Sequence, residues 1–76
     1  MPRFFFDLYD GADVTRDTAG LLVPSLEAAK TQAHALLMVL KEAASGDRGV
    51  DYNVSVRGAD GGVRVIVSLQ TKVFIP

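Results

Sequence analysis

One stretch of this chain repeats its apolar residues with the period of an α-helix, and the stretches on both sides of it alternate with the period of a β-strand. From Leu26 onward the apolar residues are spaced three and four apart, which predicts a single amphipathic helix. Ser25 is a suitable N-cap, Glu27 suits the positive N-terminal end, and Gly46 is a suitable C-terminal stop. The predicted apolar stripe comprises Leu26, Ala29, Ala33, Leu36, Leu37, Leu40 and Ala44.

The segment before the helix predicts a β-hairpin. A strand, a turn and a short return strand are expected at residues 3–9, 10–13 and 14–17. With a four-residue loop, Tyr9 faces Val14 and Asp7 faces Arg16 across the two strands. Residues 18–20 then end the return strand because Gly20 interrupts it.

The segment after the helix predicts a second hairpin, in which residues 52–58 and 63–69 alternate around Asp60-Gly61. A two-residue turn there pairs Tyr52 with Leu69, Val54 with Val67, and Val56 with Val65, all on one face. The same register places Arg57 directly opposite Arg64 on the other face. Like charges in that position repel, unless both side chains splay into water or Asp7 or Asp51 lies between them.

Together these elements predict an α+β fold of type ββαββ, formed as one domain over residues 1–76. Four antiparallel strands make the sheet, and the single helix covers one of its faces. The strand order stays open, because either strand of the first hairpin satisfies the loops when placed beside the second hairpin. The predicted sheet core comprises Phe4, Phe6, Leu8, Val54, Val56, Val65, Val67 and Leu69.

Composition excludes several classes of function. The chain has 49% hydrophobic and 22% charged residues, which is typical of a folded domain. It has no cysteine, so it has neither a disulfide nor a thiolate nucleophile. A net charge of −1 argues against nucleic-acid binding by the molecule as a whole. The longest apolar run, residues 35–40, is far shorter than the roughly 20 residues of a membrane span, and the N-terminus lacks secretory-signal features, so we expect a cytoplasmic protein.

The sheet face away from the helix is the candidate interaction surface. It has an apolar centre and a basic rim, formed by Phe5, Tyr9, Val14, Arg16, Arg57, Arg64 and Ile66. Self-association into a homodimer is the favoured interpretation. A heterologous protein or peptide is the second interpretation, and single-stranded nucleic acid stacked on the aromatic rings is the third and weakest.

The C-terminal tail carries a further apolar group, Val73, Phe74 and Ile75, left over once the second hairpin is complete. Two interpretations stay open. The tail folds back over the sheet or the helix end, or it exchanges with a second copy of the chain and protects a sheet edge.

Catalytic and metal-binding patterns are weak in this sequence. His34 is the only histidine and lies on the polar side of the helix. The aspartates of the first hairpin lack the order of a calcium-binding loop. The serines have no paired base, and the glycine-rich segment 58–62 joins two strands rather than opening onto a helix as a phosphate-binding loop does. We therefore expect no enzyme, no cofactor and no metal site.

Several short motifs also resemble a known family. They are Met1-Pro2-Arg3-Phe4-Phe5-Phe6, Asp10-Gly11, Asp17-Thr18-Ala19-Gly20, Leu26-Glu27-Ala28-Ala29 and Asp60-Gly61. In this order they are similar to a family of short uncharacterised alpha-proteobacterial proteins, a domain of unknown function that begins M-P-R-[FY]-F-F. The resemblance implies a compact α+β domain of bacterial cytoplasmic origin, and it implies no active site.

Overall fold

The computed structural model of the chain describes residues 1–11, 13–43 and 52–69. Its elements are β1 (Arg3–Asp10), β2 (Asp13–Thr15), β3 (Leu21–Leu22), α1 (Leu26–Ala43), β4 (Tyr52–Arg57) and β5 (Val63–Leu69). The strands are antiparallel in the order β2-β1-β4-β5, and β3 also pairs with β1. The helix packs on the sheet, so the predicted α+β class is confirmed. The open question of strand order is resolved, because β1 lies beside β4.

The helix begins where the cap was predicted. The backbone N–H of Ala28 donates to Oγ of Ser25 at 3.1 Å, which satisfies one of the free N–H groups of the first turn. Ala29, Ala33 and Leu37 are completely buried, and the two alanines let the helix lie close to the sheet. The predicted end at Gly46 and the stripe residue Ala44 lie outside the described residues.

Leu26 is not a core residue, although the helical period predicts one. Its side chain is 40% exposed, and Val23, just before the helix, is buried in the core. The N–H of Val23 donates to the carbonyl of Pro2 at 3.1 Å, and this bond fixes the segment against the start of β1. Val23 therefore contributes to the core a side chain that the helical pattern alone does not predict.

The sheet side of the core agrees with the predicted alternation. Phe4 and Phe6 of β1 and Val54 and Val56 of β4 are buried. Tyr52 joins this cluster, and Leu8, Val65 and Val67 pack against it while remaining partly exposed. The burial of Leu69 lies outside what the structure describes.

The second hairpin keeps the predicted register with a different turn. The N–H of Gly58 donates to the carbonyl of Gly62 at 2.9 Å, which closes a three-residue loop instead of the predicted two-residue turn. Gly61 takes the left-handed conformation that this loop requires, with φ of 86°. The loop shifts the pairing by one residue, and a β-bulge next to Arg57 restores it, so Val56 still pairs with Val65.

The predicted opposition of Arg57 and Arg64 is therefore wrong. Arg57 pairs with Val63, and Arg64 becomes the extra residue of the bulge. Arg57 instead binds Asp7, one of the partners that the sequence left open for it, and Arg64 binds Asp60.

The first hairpin departs more strongly from the prediction. Tyr9 pairs with Val14 as expected, but the pairing reaches Asp10 and Asp13, so the loop is shorter than four residues. The return strand ends at Thr15, two residues early, and the predicted contact of Asp7 with Arg16 in the ladder is absent from the described pairing. Residues 16–20 arch away from β1, and the chain then pairs with it again as β3.

A carboxylate takes the place of the missing strand beside this arch. Oδ2 of Asp17 accepts a hydrogen bond from the backbone N–H of Phe6 at 3.0 Å. Oδ1 of Asp17 accepts from the N–H groups of Ala19 and Gly20 at 3.1 and 3.0 Å. The Asp17 side chain thus accepts the hydrogen bond that the edge of β1 would otherwise donate to a neighbouring strand. It also stabilises the turn within the arch.

Gly20 is required where the arch returns to the sheet. Its φ is 74°, and a Cβ built there would lie 2.8 Å from Cγ of Arg3 and 2.9 Å from Cε2 of Phe5. Gly61 has a similar φ of 86° but has open space around it. The two glycines therefore share a backbone requirement and differ in packing.

We predict that Gly61→Ala lowers the free energy of unfolding by about 1 kcal/mol, because of the left-handed backbone. Gly20→Ala should cost roughly 1–3 kcal/mol more, since its methyl group also overpacks the contact with Arg3 and Phe5. Urea unfolding followed by circular dichroism measures both values. Equal losses in the two variants would contradict the close approach at Gly20.

Candidate functional site

The candidate site is the face of the sheet that α1 does not cover, which we call the uncovered face. Side chains alternate along each strand, so every second residue of β1, β4 and β5 points away from the helix. The bulge in β5 brings Val63 to this face as well. The uncovered face comprises Phe5, Asp7, Tyr9, Val14, Asn53, Ser55, Arg57, Val63, Ile66 and Ser68.

The apolar part of the uncovered face is open to solvent. Val14, Val63 and Ile66 are 55%, 56% and 59% exposed, and Tyr9 is half-buried. A shallow groove of about 350 Å³ is lined by Tyr9, Asn53, Ser55, Val63 and Ile66. Val63 was missed by the sequence analysis, because the assumed two-residue turn puts it on the opposite face.

The polar part of the uncovered face is a closed ion pair. Nε of Arg57 donates to Oδ2 of Asp7 at 2.7 Å, and its Nη2 donates to Oδ1 at 3.1 Å. Asp7 is directly opposite Ser55 and Arg57 is opposite Phe5, so the pair is diagonal across β1 and β4. This bidentate contact explains how Asp7 is 2% exposed on a face that the helix does not cover.

The arch closes over the same ion pair. The backbone N–H of Asp17 donates to Oδ1 of Asp7 at 2.9 Å, and Nη2 of Arg57 donates to the carbonyl of Asp17 at 2.9 Å. We call Asp7, Asp17 and Arg57 the arch network. It connects β1, β4 and the arch through side chains that are distant in sequence.

The electrostatics of the arch network favour ionised carboxylates. The hydrogen bond from Arg57 lowers the pKa of Asp7 although burial opposes it, and the N–H of Asp17 adds to the lowering. Burial pushes the pKa of Asp17 upward, but the N–H groups of Gly20, Phe6 and Ala19 together lower it below its usual value. Asp7 and Asp17 are therefore anions at neutral pH, and in that state they stabilise the arch and its contact with the sheet.

Phe5 lies on the predicted face, where Arg57 and the arch partly cover it. The guanidinium carbon of Arg57 is 5.1 Å from the centre of the Phe5 ring, which is a cation–π contact. The arch also approaches the ring at Gly20, where a Cβ would lie 2.9 Å from Cε2 of Phe5. Phe5 is thus half-buried and contributes less open surface than Ile66.

The predicted basic rim is largely neutralised. Arg57 is bound to Asp7, and Nη2 of Arg64 donates to Oδ2 of Asp60 at 2.8 Å. Arg16 is exposed on the arch, and no ion pair of it occurs within the described ranges. The tail residues Val73, Phe74 and Ile75 lie outside the described residues.

A second concavity lies on the helix side of the sheet. The helix packs mainly on β4 and β5, which leaves a cleft of about 410 Å³ between α1 and the arch. Its lining combines apolar and polar side chains, among them Phe6, Leu8, Leu21, Leu36, Thr15 and Gln32. In the part of the chain that the structure describes, no three metal-ligating side chains come together, and His34 is exposed on the helix.

The family comparison covers nearly every element just described, since the model of one family matches residues 3–70. The chain belongs to the DUF6894 family, a domain of unknown function. No curated protein and no solved structure matches the chain. Within the described residues of this DUF6894 domain, α1 is not long and apolar enough to cross a membrane.

We predict that Asp7→Asn destabilises the domain by about 3 kcal/mol, because it leaves the guanidinium of Arg57, which is 12% exposed, without its counter-charge. That loss is large for a domain whose total stability is on the order of 5 kcal/mol. Urea unfolding at pH 7 measures it. Asp13→Asn is the matched control, since Asp13 is exposed, and it should change stability by less than about 0.5 kcal/mol.

The pH dependence of stability should follow from the same groups. The folded-state pKa values of Asp7 and Asp17 are lowered, so both carboxylates stabilise the fold. Their contribution to the free energy of unfolding is complete above the unfolded-state pKa of about 3.9. It is lost as the pH falls from that value through the lower folded-state pKa values. Unfolding measured between pH 6 and pH 2 should show wild-type stability falling more steeply than that of Asp7→Asn. Parallel curves would contradict the arch network as the acid-sensitive element.

Proposed function

We propose that this DUF6894 domain is a non-catalytic interaction module that forms a homodimer through its uncovered face. The observation that carries the proposal is the exposure of Val14, Val63 and Ile66, each more than half open to solvent, with Val63 and Ile66 lining one groove. A two-fold interface uses the same patch on each copy, so it brings the two sets of exposed apolar side chains together.

The state of the carboxylates supports a non-catalytic role. Asp7, Asp17 and Asp60 are the described groups with lowered pKa values, and each is held by partners that form turns or the sheet. A general acid or base works best with a pKa near the operating pH, and these groups are shifted away from it.

Single-stranded nucleic acid is less well supported as a partner than the sequence suggests. Arg57 and Arg64 are each bound to an aspartate, and Phe5 is covered by the guanidinium of Arg57. A base-stacking platform needs open rings and free cations. A labelled oligonucleotide titrated at two salt concentrations, with the exposed Arg16→Ala as the variant, is the discriminating experiment.

We further propose that the protein acts in the bacterial cytoplasm. The chain contains no cysteine, which fits a reducing compartment, and its motifs resemble proteins of bacterial origin. Measuring the domain in cell fractions of a bacterial host tests this assignment.

We predict that the wild-type protein sediments at micromolar concentration as a dimer of the 8.1 kDa chain. Ile66→Glu should raise the dimer dissociation constant roughly tenfold to a hundredfold, because it places a charge in the apolar part of the interface. Circular dichroism should stay unchanged, since Ile66 is exposed in the single chain.

Val39→Glu is the matched control for this experiment. Val39 is also β-branched and is 64% exposed, but it lies on the helix, away from the uncovered face. It should leave the dimer intact. A monomeric wild-type protein, or equal weakening by both variants, would contradict dimerisation through the uncovered face, and binding of a different protein there would then be the remaining interpretation.

A further inference from the structure

We infer that the second copy joins along β5, so that two β5 strands pair antiparallel and the two sheets become one continuous sheet. This inference rests on the proposed function, because it takes a second copy of the chain as the partner. It adds the strand that makes the contact, the residues that bond across it and the symmetry of the pair.

The two edges of the sheet are unequal. At one edge β2 and β3 have three and two residues, and the arch separates them. The N–H of Phe6 in that gap already donates to Asp17. Short strands and a carboxylate that occupies the backbone donor both prevent another strand from adding there.

The other edge is open within the residues that the structure describes. β5 is the last strand of the order, and it is a seven-residue strand without proline. Its one charged residue, Arg64, lies at the bulge and is tied to Asp60. Natural proteins commonly protect such an edge with charge, proline or a covering segment, and residues 65–69 have neither charge nor proline.

The size of the assembly follows from β5 being the single open edge among the described residues. When two identical edges pair antiparallel, both are consumed and the complex closes as a two-fold dimer. A molecule with two open edges would instead continue into a filament. The blocked β2–β3 edge therefore favours a dimer.

The direction of the backbone N–H and carbonyl groups identifies the residues of β5 that can hydrogen-bond to a second chain. The N–H of Phe6 points to the arch, so alternation directs the neighbouring residues of β1 toward β4. Continuing the alternation across β4 makes Val65 and Val67 the residues that bond to β4. Ile66 and Ser68 then direct their N–H and carbonyl groups away from the sheet.

A two-fold axis at Val67 satisfies these groups. This axis places Ile66 opposite Ser68 of the partner subunit, and it places Val67 opposite Val67 of the partner subunit. The two Ile66–Ser68 pairs then form four backbone hydrogen bonds between the chains. Within the paired residues 65–69 no charged residue faces another, because Arg64 of β5 precedes them. The axis is normal to the sheet, so both helices lie on one side and the two uncovered faces lie side by side on the other.

We predict that Ser68→Pro abolishes the dimer and leaves the fold. Proline lacks the outward N–H and is tolerated on an edge strand whose N–H faces solvent. Ser68→Ala is the matched control, since both variants lose the hydrogen bond from Oγ of Ser68 to Oδ1 of Asn53 and only proline loses the N–H. Sedimentation equilibrium should show at least a tenfold rise in dissociation constant for Ser68→Pro and little change for Ser68→Ala.

A cross-link tests the register even if Ser68→Pro fails to fold. The chain has no cysteine, so Val67→Cys introduces one thiol per chain. The axis at residue 67 sets the two Cα atoms about 4.5 Å apart, which a disulfide can bridge. Oxidation should give a covalent dimer of Val67→Cys and little of the helix control Val39→Cys.

The outcomes separate this inference from the proposed function. A monomeric wild-type protein overturns both. A wild-type dimer that survives in folded Ser68→Pro, or that does not cross-link through Val67→Cys, overturns β5 pairing and leaves dimerisation by stacked uncovered faces. Filaments or higher oligomers overturn the argument from a single open edge.

Discussion

The bidentate contact of Arg57 with Asp7 is the interaction on which the rest of this structure depends. It connects strands that are 50 residues apart in sequence, and it makes the burial of a carboxylate on an uncovered sheet face tolerable. The same guanidinium binds the carbonyl of Asp17 and covers Phe5. One ion pair therefore links β1 to β4, positions the arch and covers part of an aromatic ring.

The arch in turn gives the sheet two different edges. Asp17 can satisfy the N–H of Phe6 because Asp7 and Arg57 hold its backbone in place. That edge is closed by the chain itself, and the edge at β5 has no such device among the described residues. An asymmetric sheet with an apolar uncovered face is suited to binding one further sheet, which is the basis of the contact function proposed for this DUF6894 domain.

Most of what depends on local period was predicted from the sequence, with Leu26 as the exception, and the predictions failed where distant side chains decide. The helix and the pairing of Val54 with Val67 follow from the spacing of apolar residues, so both were predicted correctly. The arch was not predicted, because the role of Asp17 depends on contacts with the N–H of Phe6 and with Arg57, which are distant in sequence. The bulge was missed because a glycine-rich loop fits two turn types, and this error hid Val63 from the candidate surface.

Amide hydrogen exchange tests the central claim, that one sheet edge is closed within the chain and the other is closed by a second copy. The account predicts that the N–H of Phe6 is protected at every protein concentration, since its acceptor is Asp17. It predicts that the N–H groups of Ile66 and Ser68 exchange rapidly in dilute protein and slowly in concentrated protein. Rapid exchange at Phe6, or exchange at Ile66 and Ser68 that does not depend on concentration, would contradict it.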